Sequence, residues 1–387
     1  MKHALLTVTA GAALVFTACT KSKSTVSTGP VLPAEAITTT TLNGGNVKGV
    51  MLTDSTYTVN GDLTVLKGDT LKVQPGATII IPGNHAFYIQ GVIDVEGTQQ
   101  QPAVFTSPLQ QPGQWGGFQC DSAKAVTFKW AKILWAGGPD STGSTRQTIS
   151  VSSPINVDVE DCWLIGGQDN GVGVYGAATV TILRNTIEGE GTNDGEGIDF
   201  HAGVTGTVAY NCIWGGAGSG IKIFTSSTVQ IPQTVCTVYN NTCVFNGFRR
   251  GFNEPGRGIL VDAFSAGLYY NNLLVDNYYG LDITASADYA HTKYGNNFFY
   301  TTIDSCRKYF YPAGSQGVVQ TSDIVSTGTG VNDPMFVNYS LINDTTRVMP
   351  SSFDFHLKAG SPCIGKGNTT YNADIGAYTS DGQGNKH

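Results

Sequence analysis

Side chains that can accept a proton, carry charge or stack on a ligand occur at matching places in three neighbouring stretches of the sequence. They are Tyr175, Asp199, His201, Lys222 and Phe224. A carboxylate accepts hydrogen bonds from hydroxyl groups, an imidazole or amine can act as a general base, and an aromatic face can stack on a ligand ring. This combination predicts a site for a hydroxyl-rich ligand, provided that the fold makes the three stretches neighbours.

Each of these residues lies in, or directly follows, a phrase of the form Gly–apolar–any–apolar. Alternate side chains of a strand face opposite sides, so we expect the apolar positions to face inward and the other positions outward. The five copies begin at Gly171, Gly197, Gly220, Gly258 and Gly280. The outward positions form two predicted columns, the first made of Gly173, Asp199, Lys222, Leu260 and Asp282, and the second of Tyr175, His201, Phe224, Asp262 and Thr284.

A second phrase, Asn followed by any residue and an apolar residue, precedes copies of the first phrase. It begins at Asn185, Asn211, Asn241, Asn272 and Asn297. Asp161 starts an earlier copy whose register could be off by one, and successive copies are 24, 26, 30, 31 and 25 residues apart. An Asn at the same turn of every repeat predicts a stacked ladder of side-chain amides, which is a structural role rather than a catalytic one.

The repeats predict strands and no helices. Apolar residues alternate over four to six positions, Gly, Asn and Asp form the intervening turns, and about three strand-length pieces fit in each repeat. No repeat contains a helical period of ten to twelve residues, which excludes βαβ units. The sequence therefore predicts an all-β fold, a single-stranded right-handed parallel β-helix, in which each repeat forms one coil stacked about 4.8 Å above the last.

Composition agrees with this fold and excludes several classes of protein. Only 13% of the 387 residues are charged, which is too few for a coiled coil or a mostly helical protein. The 49 glycines have no three-residue period, which excludes collagen, and the net charge of −7 argues against nucleic acid as a partner. The cysteines beyond residue 19 are predicted to be free and buried, with a bond between Cys236 and Cys243 as the alternative.

The first residues indicate export and lipid attachment. Residues 1–18 contain a short apolar run after Lys2 and end in Phe-Thr-Ala before Cys19, which resembles the lipobox of bacterial lipoproteins. The resemblance implies that Cys19 carries the lipid and that the protein is an outer-membrane lipoprotein in the envelope of a Gram-negative bacterium. Residues 19–45 are predicted to be a flexible tether. No acidic residue follows Cys19 directly, which favours the periplasmic side.

Two further regions carry a family resemblance. Residues 57–118 contain stretches such as Asp62-Leu63-Thr64-Val65 and Gly91-Val92-Ile93-Asp94-Val95. The tail contains Asn332-Asp333-Pro334-Met335-Phe336, Gly360-Ser361-Pro362-Cys363-Ile364-Gly365 and Asp374-Ile375-Gly376-Ala377-Tyr378. The chain thus resembles pectate-lyase-like β-helix lipoproteins of Bacteroidota with a choice-of-anchor Q segment. The resemblance implies a β-helix over residues 46–310 and a capping segment over residues 311–387. It implies no single activity, because such folds serve lyases, hydrolases and adhesins.

Two kinds of turn flank the predicted outward columns. The turn at residues 246–257 holds Arg249, Arg250 and Arg257, which could clamp the carboxylate of an acidic sugar. The turns that contain Asp169 and residues 190–196 are acidic, so their oxygens could bind a calcium ion, although neither turn matches an EF-hand loop. We expect no other metal or resident cofactor.

Three functions remain open from the sequence. The favoured interpretation is a lipid-anchored, monomeric envelope protein that contacts a polysaccharide or other glycan, for binding or processing. Its predicted binding residues are Asp199, Tyr175, Phe224, Asp262, Arg249 and Arg257. The first alternative is a polysaccharide lyase that performs β-elimination on an acidic polysaccharide, with Lys222 or His201 as base and Arg250 as the carboxylate-binding cation. The second alternative is a scaffold or adhesion module without a small-molecule site.

Overall fold

The computed structural model describes residues 35–251, 254–342 and 348–387. The predicted signal peptide, the lipidation site Cys19 and most of the predicted tether lie outside the described residues. No helix among the described residues is long and apolar enough to cross a membrane.

Three long parallel sheets contain every third strand of the chain. Sheet 1 contains β1 (Thr41–Leu42), β4 (Thr56–Val59), β7 (Thr78–Ile80), β10 (Ala103–Thr106), β13 (Ala131–Leu134), β16 (Trp163–Ile165), β19 (Thr186–Glu188), β22 (Cys212–Trp214), β25 (Thr242–Val244), β28 (Leu273–Val275), β31 (Phe298–Tyr300) and β32 (Ile324–Val325). Sheet 2 contains β2 (Gly45–Asn46), β5 (Leu63–Val65), β8 (Phe87–Ile89), β11 (Phe118–Gln119), β14 (Ile149–Val151), β17 (Val172–Val174), β20 (Ile198–Phe200), β23 (Ile221–Phe224), β26 (Arg257–Asp262) and β29 (Tyr279–Ile283). Sheet 3 contains β3 (Gly49–Met51), β6 (Thr70–Val73), β9 (Val92–Glu96), β12 (Ala125–Lys129), β15 (Asn156–Glu160), β18 (Thr179–Leu183), β21 (Thr205–Ala209), β24 (Val235–Tyr239), β27 (Ala266–Tyr270) and β30 (Thr292–Gly295).

The chain visits sheets 1, 2 and 3 in turn, so three strands make one coil and the predicted β-helix is confirmed. Strands β1 and β2 already belong to the sheets, so the first coil starts inside the segment that the sequence assigned to the tether. Among the residues that the structure describes, the remaining regular elements are an antiparallel pair, β33 (Phe336–Asn338) and β34 (Asp354–Leu357), and two short 3-10 helices, Tyr289–His291 and Asp304–Tyr309.

The interior of the β-helix is filled by the alternate apolar side chains of each strand. In sheet 2, Ile198, Ile221 and Ile259 pair directly on successive coils, and all three are fully buried. All seven described cysteines are buried and free, as predicted, and no disulfide joins Cys236 to Cys243.

The predicted asparagine ladder is present at the turn before sheet 1. The side-chain Nδ2 of each Asn donates to the Oδ1 of the next, at 2.9 Å from Asn185 to Asn211 and 3.1 Å from Asn272 to Asn297. The earlier copy is shifted by one residue. Cys162 occupies the ladder position, and its N–H donates to Asn185 Oδ1 at 2.9 Å, whereas Asp161 binds the guanidinium of Arg184.

The C-terminal segment covers the last coil at its start, where Tyr311 and Val325 pack against the core and β32 pairs with β31, and then continues along the flank of sheet 1. Strands β22, β25, β28 and β31 are buried on both faces, and most of their outer side chains are apolar and need a cover. A second apolar cluster provides it, in which Trp214 and Phe298 of the sheet pack with Phe355 and Ile375 of the segment. The final residue, His387, stacks on Trp163 several coils away from β31, with ring centroids 3.7 Å apart.

Candidate functional site

The parallel register of sheet 2 brings the predicted chemical side chains together. Asp199 of β20 pairs with Gly173 of β17 on one side and with Lys222 of β23 on the other. Phe224 pairs with Asp262 one coil further on. This register confirms that the positions of the first predicted column stack on successive coils, but the column is largely buried instead of facing outward, since Leu260 is 5% and Asp282 6% exposed. We refer to Tyr175, Asp199, His201, Lys222 and Phe224 as the Asp199 patch.

Asp199 is the centre of this patch and lies deeper than an outward strand position would suggest. It is only 3% exposed. Its Oδ1 lies 3.0 Å from His201 Nε2 and 3.6 Å from Lys222 Nζ, and its Oδ2 accepts from the Tyr175 hydroxyl at 3.2 Å. Asn170 Nδ2 donates to the same Oδ2 at 3.1 Å. These neighbours cover the carboxylate and replace the water that a solvated strand face would provide.

The second column forms a row of rings along the axis of the β-helix. The His201 ring lies between Tyr175 and Phe224, at centroid distances of 4.9 and 4.6 Å. The side chain of His201 retains 24% of its surface exposed, and Phe224 is half-buried. The row thus presents partly exposed rings, while the charged groups that orient His201 lie beneath or beside it.

The charges of the patch keep Asp199 ionised and Lys222 protonated. Burial opposes both charges, but the hydrogen bond from His201 and the ammonium of Lys222 lower the pKa of Asp199 overall. For Lys222 the carboxylates of Asp199 and Glu196 outweigh burial, so its pKa is raised. Burial raises the pKa of Tyr175, which keeps its phenol protonated as a donor to Asp199.

The acidic turn before β20 is closed by an arginine of the longer turn. Arg250 NH1 contacts Glu196 Oε1 at 2.7 Å and Asp194 Oδ1 at 3.2 Å, and its NH2 contacts Glu254 Oε1 at 3.2 Å. A guanidinium thus holds two of the carboxylates that the sequence offered to calcium, those of Asp194 and Glu196. The described residues contain no group of three or more His, Cys, Asp or Glu positioned to hold a metal.

The other two arginines of this turn also bind protein groups. Arg249 NH2 donates to the Gly215 carbonyl at 2.6 Å and to two further backbone carbonyls of the acidic turn. Arg257 Nε donates to Asp282 Oδ2 at 3.0 Å, and its guanidinium lies over the Tyr279 ring. The structure therefore separates Arg257 from Arg249 and Arg250 and uses all three to hold turns and strands, instead of aiming them together at one ligand carboxylate.

Asp262 is also hydrogen-bonded to other side chains of the protein. Two further residues, Asn170 and Gln147, contact the patch although the sequence did not predict them. Asp262 Oδ1 accepts from Thr284 Oγ1 at 2.5 Å and from Ser286 Oγ at 2.6 Å. Asn170, which donates to Asp199, follows Asp169 in an acidic turn and belongs to neither recurring phrase. Gln147, whose Nε2 donates to the Tyr175 hydroxyl, belongs to neither recurring phrase, so the sequence carried no signal for it.

Comparisons with known proteins agree with this architecture. A family model described as a right-handed β-helix region matches residues 116–299, and one described as a pectate-lyase-like β-helix domain matches residues 44–130. No curated protein and no solved structure matches the chain. The three parallel sheets and the two matched models together show that this chain is a single-stranded right-handed parallel β-helix, with an N-terminal region similar to the pectate-lyase-like domain.

Proposed function

We propose that the Asp199 patch binds a glycan chain that lies along the axis of the β-helix. The observation that carries this proposal is the row of Tyr175, His201 and Phe224 rings at 4.9 and 4.6 Å, held in place by a buried carboxylate. The half-buried Phe224 ring offers an apolar face to a sugar, while the imidazole and the Lys222 ammonium offer polar contacts to its hydroxyl groups. The match to a pectate-lyase-like model supports a glycan as the ligand class.

The charge balance of the patch favours a neutral glycan. Lys222 is already close to Asp199, and Arg250 is already bound by three carboxylates. A uronate carboxylate would have to displace one of these pairs, and it would meet the charges of Asp194 and Asp199 nearby. A neutral sugar needs no such exchange, because hydroxyl groups can both donate and accept hydrogen bonds. This preference departs from the acidic polysaccharide that the lyase alternative requires.

The binding proposal predicts a loss of affinity when the row of rings is shortened. Phe224→Ala removes a stacking face, and His201→Ala removes a ring together with a hydrogen-bonding group. We expect each change to weaken glycan binding by about 1–3 kcal/mol, or roughly 5- to 150-fold. A glycan array screened with the wild-type protein identifies the ligand, and calorimetry on that ligand measures the loss.

An aromatic residue outside the patch provides the matched control. Tyr289 is exposed and belongs to a 3-10 helix that follows β29, so Tyr289→Ala should leave the affinity unchanged. Equal affinities for the wild type, Phe224→Ala and His201→Ala on an identified glycan would refute binding at the Asp199 patch. A wild-type protein that binds no glycan on the array would favour the scaffold alternative instead.

A second candidate function, β-elimination, is favoured by the contact between Asp199 and His201. A carboxylate at 3.0 Å from Nε2 can fix the tautomer in which Nδ1 is the proton acceptor, which is the arrangement of an oriented general base. Lys222 suits this role poorly because its raised pKa keeps it protonated. A lyase would release unsaturated uronate from acidic polysaccharides, with turnover that disappears in His201→Ala. Binding without any such product leaves the Asp199 patch as a binding site.

We further propose that the protein is attached to the outer membrane through a lipid on Cys19, on the periplasmic side. The apolar run that ends at Cys19 supports this proposal, which concerns residues outside the described part of the chain. Cys19→Ser should abolish incorporation of labelled palmitate and release the protein from the membrane fraction. Cys306→Ser, which changes a buried thiol, should retain the label. A wild-type protein without label and a Cys19→Ser protein that stays with the membrane would contradict lipid anchoring.

A further inference from the structure

A second candidate site lies on sheet 1, where the C-terminal segment packs against the sheet. There a pocket of about 560 Å³ opens between β16 and β19 of the sheet and the segment around β34. Its walls include Trp163 from the sheet and Phe353, Phe355 and Tyr378 from the segment. Neither recurring phrase predicts this pocket, because it exists only where the tail packs on the flank.

A buried carboxylate without a cationic partner lines this pocket. Glu188 is 6% exposed, and its Oε2 accepts a hydrogen bond from the Met349 N–H at 2.9 Å. Among the described residues that line the pocket there is no Lys or Arg, and the second carboxylate, Asp354, is bound by His356 Nδ1 at 2.7 Å. Burial raises the pKa of Glu188 to about 7, although the Met349 hydrogen bond opposes the shift.

The remaining polar lining does not neutralise Glu188. His387 stacks on Trp163, and its Nδ1 lies 2.9 Å from Thr186 Oγ1. Burial lowers the pKa of His387 to about 3, so this ring is neutral at physiological pH. The Tyr378 phenol is buried and protonated, because burial raises its pKa well above the usual value. One cation stands outside the lining, since Lys132 Nζ lies 4.9 Å from the centroid of the Trp163 ring. The lining itself combines aromatic side chains with the carboxylates of Glu188 and Asp354.

We propose that this pocket binds a small organic cation, a ligand that carries a primary or quaternary ammonium group. Aromatic faces attract such cations through their quadrupoles, and a nearby carboxylate adds direct charge attraction in a site partly shielded from water. An anion would meet the carboxylates of Glu188 and Asp354, and the lining offers it no Lys or Arg. This site is separate from the Asp199 patch, so the proposal does not depend on glycan binding.

Calorimetry with two probes of similar shape tests the proposal on the purified protein. We expect saturable binding of tetramethylammonium and none of tert-butanol, which is uncharged. Glu188→Gln keeps an acceptor for the Met349 N–H and should weaken tetramethylammonium binding at least about tenfold. Phe353→Leu, which removes another aromatic ring of the lining, should also weaken it, whereas Glu96→Gln, an exposed carboxylate on sheet 3, should leave it unchanged.

The pH dependence isolates the contribution of Glu188. The titratable groups that face it are Asp354, His356, Tyr378 and His387 of the C-terminal segment and the Cys212 thiol of β22. Ionisation of Glu188 favours the cation, so affinity should rise about tenfold between about pH 6 and pH 8 in the wild type and by clearly less in Glu188→Gln. The proposal is overturned if tetramethylammonium does not bind saturably, if tert-butanol binds equally well, or if Glu188→Gln binds like the wild type. Saturable binding of methyl glucoside in place of tetramethylammonium would assign the pocket to neutral sugars and also overturn it.

Discussion

Val238→Asp should prevent the protein from folding or lower its free energy of unfolding by more than about 4 kcal/mol. Val238 is fully buried in β24, between Val208 and Tyr269 on the neighbouring coils. A carboxylate placed there would lose its hydration and find no cation inside the column of apolar side chains. Urea denaturation followed by circular dichroism measures the change, and failure to obtain soluble protein counts as the stronger form of the same result.

Val235 of the same strand provides the matched control. It is 41% exposed, so Val235→Asp introduces the same carboxylate into water and should change the free energy of unfolding by no more than about 0.5 kcal/mol. The two substitutions differ only in the face of β24 on which they lie. Similar losses at both positions would show that the inward and outward faces of this strand are wrongly assigned.

Asn241→Ala should lower the free energy of unfolding by about 3 kcal/mol or more, because it removes the middle member of the asparagine ladder. The Asn241 Oδ1 accepts from the Asn211 N–H at 3.1 Å and from Asn211 Nδ2 at 2.9 Å. Its own Nδ2 donates to Asn272 Oδ1 and to the Val208 carbonyl, each at 3.0 Å. Alanine would remove one hydrogen-bond partner from each of these buried groups, and water cannot reach them easily.

Asn156→Ala is the control for the loss of an asparagine from this fold. Asn156 begins β15 and is exposed, so its amide is solvated in both the folded and the unfolded chain. We expect a change within about 0.5 kcal/mol on the same denaturation curve. If Asn241→Ala were equally mild, the ladder would contribute no net stability, and the recurrence of Asn would need another explanation.

The sequence alone predicted the course of the chain and the membership of the Asp199 patch. A period of two within each strand defines which side chains point inward, and the recurring glycine and asparagine phrases define which strands stack. Asp199 and Lys222 are 23 residues apart, yet their pairing follows directly from aligning Gly197 with Gly220. Local patterns suffice here because a parallel β-helix repeats the same contact from coil to coil.

Only the tertiary structure decided how charge is distributed within and around the patch, and where the tail lies. The sequence could not show that Arg250 is held by Glu196, because the two belong to different turns whose side-chain directions no repeat defines. Nor could it show that Glu188 lines a pocket, since the covering segment is distant in sequence and follows no period. The stacking of strands on successive coils is set by short-range periodicity in the sequence. The burial of a charge depends instead on every segment that packs over it, and in this protein those segments are irregular turns and the tail.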